Sequence, residues 1–174
     1  MSIQIIPDPL SLLRPVSKVI SVSQTRPADV LTYAAGRVVA NSTTAAVVLT
    51  CAGMARSNGL GGIIQNARLI FSTAPTLKLD SELYLFDTSP TIQNDNVAWA
   101  PSTADMSNLI AVIPFPTGSF KVGSGNGVIE LQNLGLDFQC AAASTSLFGI
   151  LVARNAYVPA NAEVFKLRLG VIQD

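Results

Sequence analysis

The sequence predicts an all-β protein: an eight-stranded antiparallel jelly-roll sandwich with an extended N-terminal arm. From about residue 30 onward, short apolar stretches with period-two alternation follow one another. Turn pairs separate them, namely Asn58-Gly59, Gly61-Gly62, Ser89-Pro90 and Asn126-Gly127. Helical character is confined to residues 102–109, where Ser102 is a candidate N-cap and Asp105 falls in the first turn. About eight antiparallel strands close most often as two packed sheets, and the jelly roll is the commonest eight-stranded form. An immunoglobulin-like sandwich is the alternative. It would place a Trp between two cysteines in one core, whereas Trp99 lies in a polar, Asn-rich loop segment.

Residues 1–27 form the arm and residues 28–174 the sandwich. Pro7, Pro9, Pro15 and Pro27 punctuate the arm, which contains no Gly. Proline at this density blocks helices and central strands and favours extended chain. The arm is nonetheless too apolar for a solvated linker. It suits a segment laid along another surface, so Ile5, Ile6, Leu10, Leu12, Leu13, Val19 and Ile20 are the expected partner contacts. Residues 17–23 are expected to add a strand to a sheet edge, the chain's own or a neighbour's. Ordering so long a segment costs more than a few aliphatic anchors return. The arm should therefore order in an assembly and stay loose in an isolated protomer.

Within the sandwich, residues 77–85 alternate Leu with mostly charged or polar side chains, the pattern of a half-buried antiparallel strand. Phe165, Leu167, Leu169 and Val171 alternate in the same way with Lys166, Arg168 and Gly170. Phe148, Ile150 and Val152 share one face of another strand, with Leu147, Leu151 and Ala153 on the other. Two apolar faces imply a central strand or one covered by a partner. Further strands are expected near residues 35–40, 45–53, 62–72, 109–115 and 128–138.

The 174 residues suffice for one domain with a sizeable core, without a metal or disulfide staple. Charged residues make up 13%, against about 25% in a typical soluble domain. Polar character comes mainly from Ser, Thr, Asn and Gln, which are less costly to desolvate than ions. A surface of this kind suits burial against other proteins. The 11 basic and 11 acidic residues cancel, leaving no electrostatic grip on phosphates, so no nucleic-acid partner is expected. The chain has no His, the commonest general base and metal ligand; no enzyme activity, cofactor or metal is expected. No stretch approaches the ~20 apolar residues of a membrane span, since Thr50 and Gly53 interrupt the longest apolar region. The N-terminus lacks the basic and unbroken apolar regions of a signal peptide. Cys51 and Cys140, set among small apolar residues, are expected to be buried free thiols.

Local motifs carry little chemistry. Gly123-Ser124-Gly125-Asn126-Gly127 is followed by strand-like Val128-Ile129-Glu130-Leu131, so it is a hairpin loop and not a phosphate cradle. Asn58-Gly59-Leu60-Gly61-Gly62 lacks the same helix. Asp87, Asn94, Asp95 and Asn96 offer oxygen ligands, but their spacing is that of turn-forming residues. Asp80 with Glu82, and Glu130 with Asp137, sit on strand faces. Ala143-Ser144-Thr145-Ser146 has no nucleophile-elbow frame, and nothing positions a Ser–Lys dyad. Asn41-Ser42-Thr43 fits a glycosylation acceptor that carries no weight without a secretory signal.

Several phrases resemble a known family. They are residues 32–39 (Thr-Tyr-Ala-Ala-Gly-Arg-Val-Val), residues 85–91 (Leu-Phe-Asp-Thr-Ser-Pro-Thr) followed by Asp95-Asn96, the block 138–152, and the end 167–174. Over residues 25–174 the chain resembles tailed-bacteriophage capsid cement (decoration) proteins of jelly-roll type. The resemblance implies a structural virion protein on the outer capsid surface, made in the cytoplasm of the infected bacterium. It implies the major capsid protein as partner, a dimer or trimer as homo-oligomer, and stabilisation of the shell. A head-fibre or receptor-binding module that recognises glycans is the alternative. Such a module would display clustered aromatics, and Tyr33, Tyr84, Trp99 and Tyr157 are scattered in sequence. A carboxylate hydrolase ranks last.

Overall fold

The computed structural model describes residues 15–174. In chain order the strands are β1 (Val16–Thr25), β2 (Val38–Val39), β3 (Leu49–Cys51), β4 (Gly61–Phe71), β5 (Ser81–Phe86), β6 (Leu109–Phe115), β7 (Phe120–Val122), β8 (Gly127–Gln139), β9 (Leu147–Ala153) and β10 (Val164–Gln173). They build two sheets, ordered β1-β10-β4-β8-β7 and β2-β9-β5-β6, with β3 also on β9. Every pairing is antiparallel. The described residues are thus nearly all-β, as expected, but with ten strands where eight were expected. The two additions are β1, inside the expected arm, and β7. With three residues, β7 is too short to show a period. On β1 the inward positions mix Ile20 and Val22 with Lys18 and Gln24, which blurs the alternation.

Alternation elsewhere translates directly into burial. Leu79, Ser81, Leu83 and Leu85 point inward and are fully buried. The strand starts only at Ser81, because the loop before it is pinned where the Asp80 N–H donates to Asn155 Oδ1 at 2.9 Å. Leu151 joins them from β9 in the same sheet, and Leu167, Leu169, Leu69 and Ile129 face them from the other sheet, forming the core between the two. Phe71 centres its aromatic part, 4.9 Å from Phe120 and 5.3 Å from Phe165, distances at which tilted rings attract.

The two apolar faces of β9 are both explained within the chain. Its inner face meets the core. Its outer residues Ile150 and Val152 join Val38 and Phe86 in a second cluster, covered by Ala46, Val48, Ile92 and Trp99. Strands β2 and β3 pair with successive parts of β9, so they act as one strand interrupted by residues 40–48. That excursion lies over the outer face instead of extending the sheet.

Gly61-Gly62, expected as a break, opens β4. A Cβ at Gly61 would stand 2.2 Å from the Phe138 carbonyl oxygen, and one at Gly62 2.2 Å from that of Ile172. The pair therefore lets three backbones converge. Gly123 to Gly127 forms the β7–β8 hairpin, closed by the Gly123 N–H on the Asn126 carbonyl at 2.9 Å. The short helix α1 (Thr103–Ser107) starts where expected: Ser102 caps it, and Asp105 completes a capping box.

Hydrogen bonds from the Ser102 hydroxyl, then from the Thr91 and Ser102 N–H groups, hold the Asp105 carboxyl below the usual carboxylate range. A depressed carboxylate contributes stability that is present above its unfolded pKa and lost as pH falls through the folded one. The α1 turn and residue 91 should therefore stay fixed through mildly acidic pH and loosen only below the ordinary Asp range. Amide chemical shifts of Thr91 and Asp105 followed against pH check this. Both cysteines are free and buried, and burial pushes the Cys51 thiol up to about 12. Neither should react with a disulfide reagent at neutral pH until the protein is unfolded; rapid labelling of native protein would contradict this.

Candidate interface

The sandwich is open along one side. On one side β1 pairs with β10; its other edge has no strand partner among the described residues. Across from it, β3 pairs with β9 alone. Between these edges runs a groove of about 460 Å³ lined by Val22, Ser23, Thr25, Val47, Leu49 and Thr50, among others. Side chains stitch the two sheets beneath it: Gln24 Nε2 donates to the Val39 carbonyl at 2.8 Å, and Lys18 Nζ to that of Gly53 at 3.1 Å.

Free edges template pairing with another chain, and natural proteins blunt them with Pro, inward charges, bulges or short strands. The ten residues of β1 contain no Pro, pair with β10 without a register shift, and include a single charge, Lys18. Val47 in the groove wall is 62% exposed, and Val19 on the outer face of β1 is 56% exposed. Of those devices this edge carries only the inward charge, Lys18.

Just beyond Thr25, where the groove ends, the chain is locked instead. Arg26, just after β1, is fully buried with Asp95, its Nη2 donating to Oδ2 at 2.9 Å. The Tyr33 hydroxyl donates to the other Asp95 oxygen at 2.5 Å, and Arg26 Nε donates to Tyr33 Oη. The Ala40 N–H also donates to Asp95, at 2.8 Å. Tyr33 stacks on Tyr157 with centroids 6.3 Å apart, and the Tyr157 hydroxyl donates to buried Glu163 at 2.6 Å. Burial pushes both phenols up, so they stay neutral donors. These groups tie three loops to the end of β1 and leave no open acid or base there.

Of the expected contact residues, Ile5, Ile6, Leu10, Leu12 and Leu13 lie outside the described residues. Val19 is exposed, whereas Ile20 is 5% exposed and opposes Leu169 in the core. Residues 17–23 do form an edge strand, in the chain's own sheet. Of the candidate oxygen cluster, Asp95 holds Arg26 and Tyr33, Asn94 accepts from the Ala46 N–H at 3.1 Å, Asn96 donates to the Thr32 carbonyl at 3.2 Å, and the buried Asp87 Oδ1 has no hydrogen-bond partner among the described residues. Glu82 binds Arg154 and Tyr84, and Glu130 binds Arg68. Ser144 Oγ accepts from the Ser146 N–H within its own turn. Two aromatic pairs scattered in sequence meet in space, Tyr33 with Tyr157 and Tyr84 with Trp99, the latter at 5.7 Å.

No family model and no curated protein matches the chain at a significant level. Among solved structures, the chain is similar to one in the acidic stable capsid structure of Helicobacter pylori bacteriophage KHP30. The identity is 13% and the TM-score 0.33, over 90% of this chain and 87% of that one. Similarity to the structure of infectious bursal disease virus Gx strain is slighter, at 16% identity and TM-score 0.15, over 91% of this chain and 39% of that one.

Proposed function

We propose that this chain is a structural virion protein that binds the outer surface of a bacteriophage head and cements neighbouring major capsid subunits. The observation that carries the proposal is the unpaired, ten-residue β1 edge beside its groove, with exposed Val19 and Val47. An edge of this length invites an added strand from another chain. The low charge of the chain supports it, because interface cores are depleted in ions. The strand-and-turn phrases that resemble capsid cement proteins supply the identity of the partner.

On this proposal the sandwich is a jelly roll. Counting β2 and β3 as one interrupted strand, and β7 as a short return on β8, leaves the interleaved orders β1-β10-β4-β8 and β2-β9-β5-β6. Two Greek keys folded together generate such interleaving. The protein acts as a dimer or trimer on the virion, after synthesis in the infected cell's cytoplasm. Repetition over a symmetric shell multiplies weak contacts through effective concentration, so each contact can be modest. The segment ahead of β1 supplies further apolar contacts to the shell.

A head-fibre module that binds glycans is the second reading. It is favoured by Tyr84 and Trp99 meeting beside Glu82 and Arg154, aromatic and polar groups of the kind that sugars use. Incubating the purified protein with empty, expanded heads and with host-surface glycan separates the two. Saturable co-sedimentation with heads supports cementing; retention on glycan without co-sedimentation supports the fibre module.

A further inference from the structure

We propose that the outer face of the first sheet, centred on Arg168, docks a carboxylate presented by another protein subunit. This rests on the proposed function only for the identity of that subunit. The register aligns three outward rows: Val19, Gly170, Asn66 and Gln132; then Ser21, Arg168, Arg68 and Glu130; then Ser23, Lys166, Ile70, Val128 and Lys121. Within these rows four cations stand with one carboxylate, Glu130; the next outward row on the same face adds Asp137, opposite Ile63.

The middle row is electrostatically incomplete. Arg168 and Arg68 stand directly opposite each other, and like charges in that position destabilise a sheet. Arg68 is relieved by Glu130, with Nη2 to Oε1 at 2.6 Å. Arg168 has no such relief: its Nε is buried and lacks a hydrogen-bond partner, and no ion pair reaches it among the described residues. A buried N–H left unpaired is a standing cost that native proteins rarely keep without a purpose. A carboxylate laid against the half-buried Arg168 guanidinium would offset the like charge of the two arginines.

Beside the row, β8 bulges at residues 133–135 between Gln132 and Leu136, with Asn133 and Gly135 at positive φ. The bulge leaves a polar depression of about 170 Å³ bounded by Arg68, Glu130, Gln132 and Asn133. It gives an incoming acidic side chain room next to Arg68, one strand away from Arg168. Gly170 keeps the row above low, because a Cβ there would stand 2.5 Å from the Asn66 side chain. A protein partner fits better than nucleic acid. The three rows hold no aromatic ring to stack a base, and Ile70 and Val128 between the lysines suit a mixed protein surface.

The test titrates fluorescent poly-L-glutamate with the full chain and with Arg168→Met, alongside thermal melts and single-stranded DNA of matched charge. Wild type should bind poly-L-glutamate, more weakly as salt rises, and prefer it to DNA. Arg168→Met should bind about tenfold more weakly yet melt no lower than wild type, since it removes an unpaired donor and a like-charge contact. Arg168→Lys should fall between. Equal binding by Arg168→Met, a lower melting temperature for it, or tighter binding of DNA would each overturn the site. Loss of the poly-L-glutamate result with shell binding intact would remove this docking site and leave the cementing proposal standing; the reverse outcome would do the opposite.

Discussion

Replacing Asp95 by Ala should lower stability by about 3–5 kcal/mol, the cost of removing the buried partner of a buried charge; the partner left to Arg26 is the more exposed Asp29, at 3.1 Å. Arg26 is fully buried, and burial opposes its charge; Tyr33 and Asp95 outweigh that and hold its pKa above the ordinary value. Removing the carboxylate leaves Arg26 Nη2, the Tyr33 hydroxyl and the Ala40 N–H without their shared acceptor. Asp95→Asn retains an acceptor and should cost less than Asp95→Ala. Urea titrations of both variants, read as midpoint at constant slope, check the order. Equal stability of Asp95→Ala and wild type would show that the loops are held by other contacts.

Truncation should be just as decisive, and its outcome depends on where the cut falls. Taking β1 for part of a detachable arm would make removal of residues 1–22 harmless. The structure argues otherwise: Ile20 opposes Leu169, and Val22 opposes Leu167, both in the core. Losing Ile20 alone resembles a large-to-small core substitution, about 2–5 kcal/mol, and the remaining β1 stub cannot cover β10. Removal of residues 1–14 spares all of β1. The shorter truncation should melt close to full length but decorate heads poorly, and the longer one should be unfolded or markedly destabilised. Equal melting of the two would contradict the place given to β1.

Period-two patterns made most of the fold legible. Leu83 and Leu85 on β5, and Leu167 and Leu169 on β10, fell inward as their alternation required. Ser102 and Asp105 marked α1 because a capping box is a local signal. What stayed hidden was non-local. Tyr33 and Arg26 find Asp95 across 62 and 69 residues, and no spacing rule links them. Ile150 and Val152 were readable as apolar but not as covered by the chain's own residues 40–48 and Trp99. The opposition of Arg168 to Arg68 follows from register, which the sequence of either strand leaves open. The candidate interface was half legible. Residues 17–23 were marked as an edge strand, but the groove opposite them depends on how β3 sits on β9.

The most direct measurement is the heat resistance of empty, expanded heads with and without this protein, scored by rupture temperature together with co-sedimentation. Cementing predicts saturable binding and a higher rupture temperature for decorated heads. A protein that stays in the supernatant as a monomer, with heads rupturing at the same temperature, would contradict it.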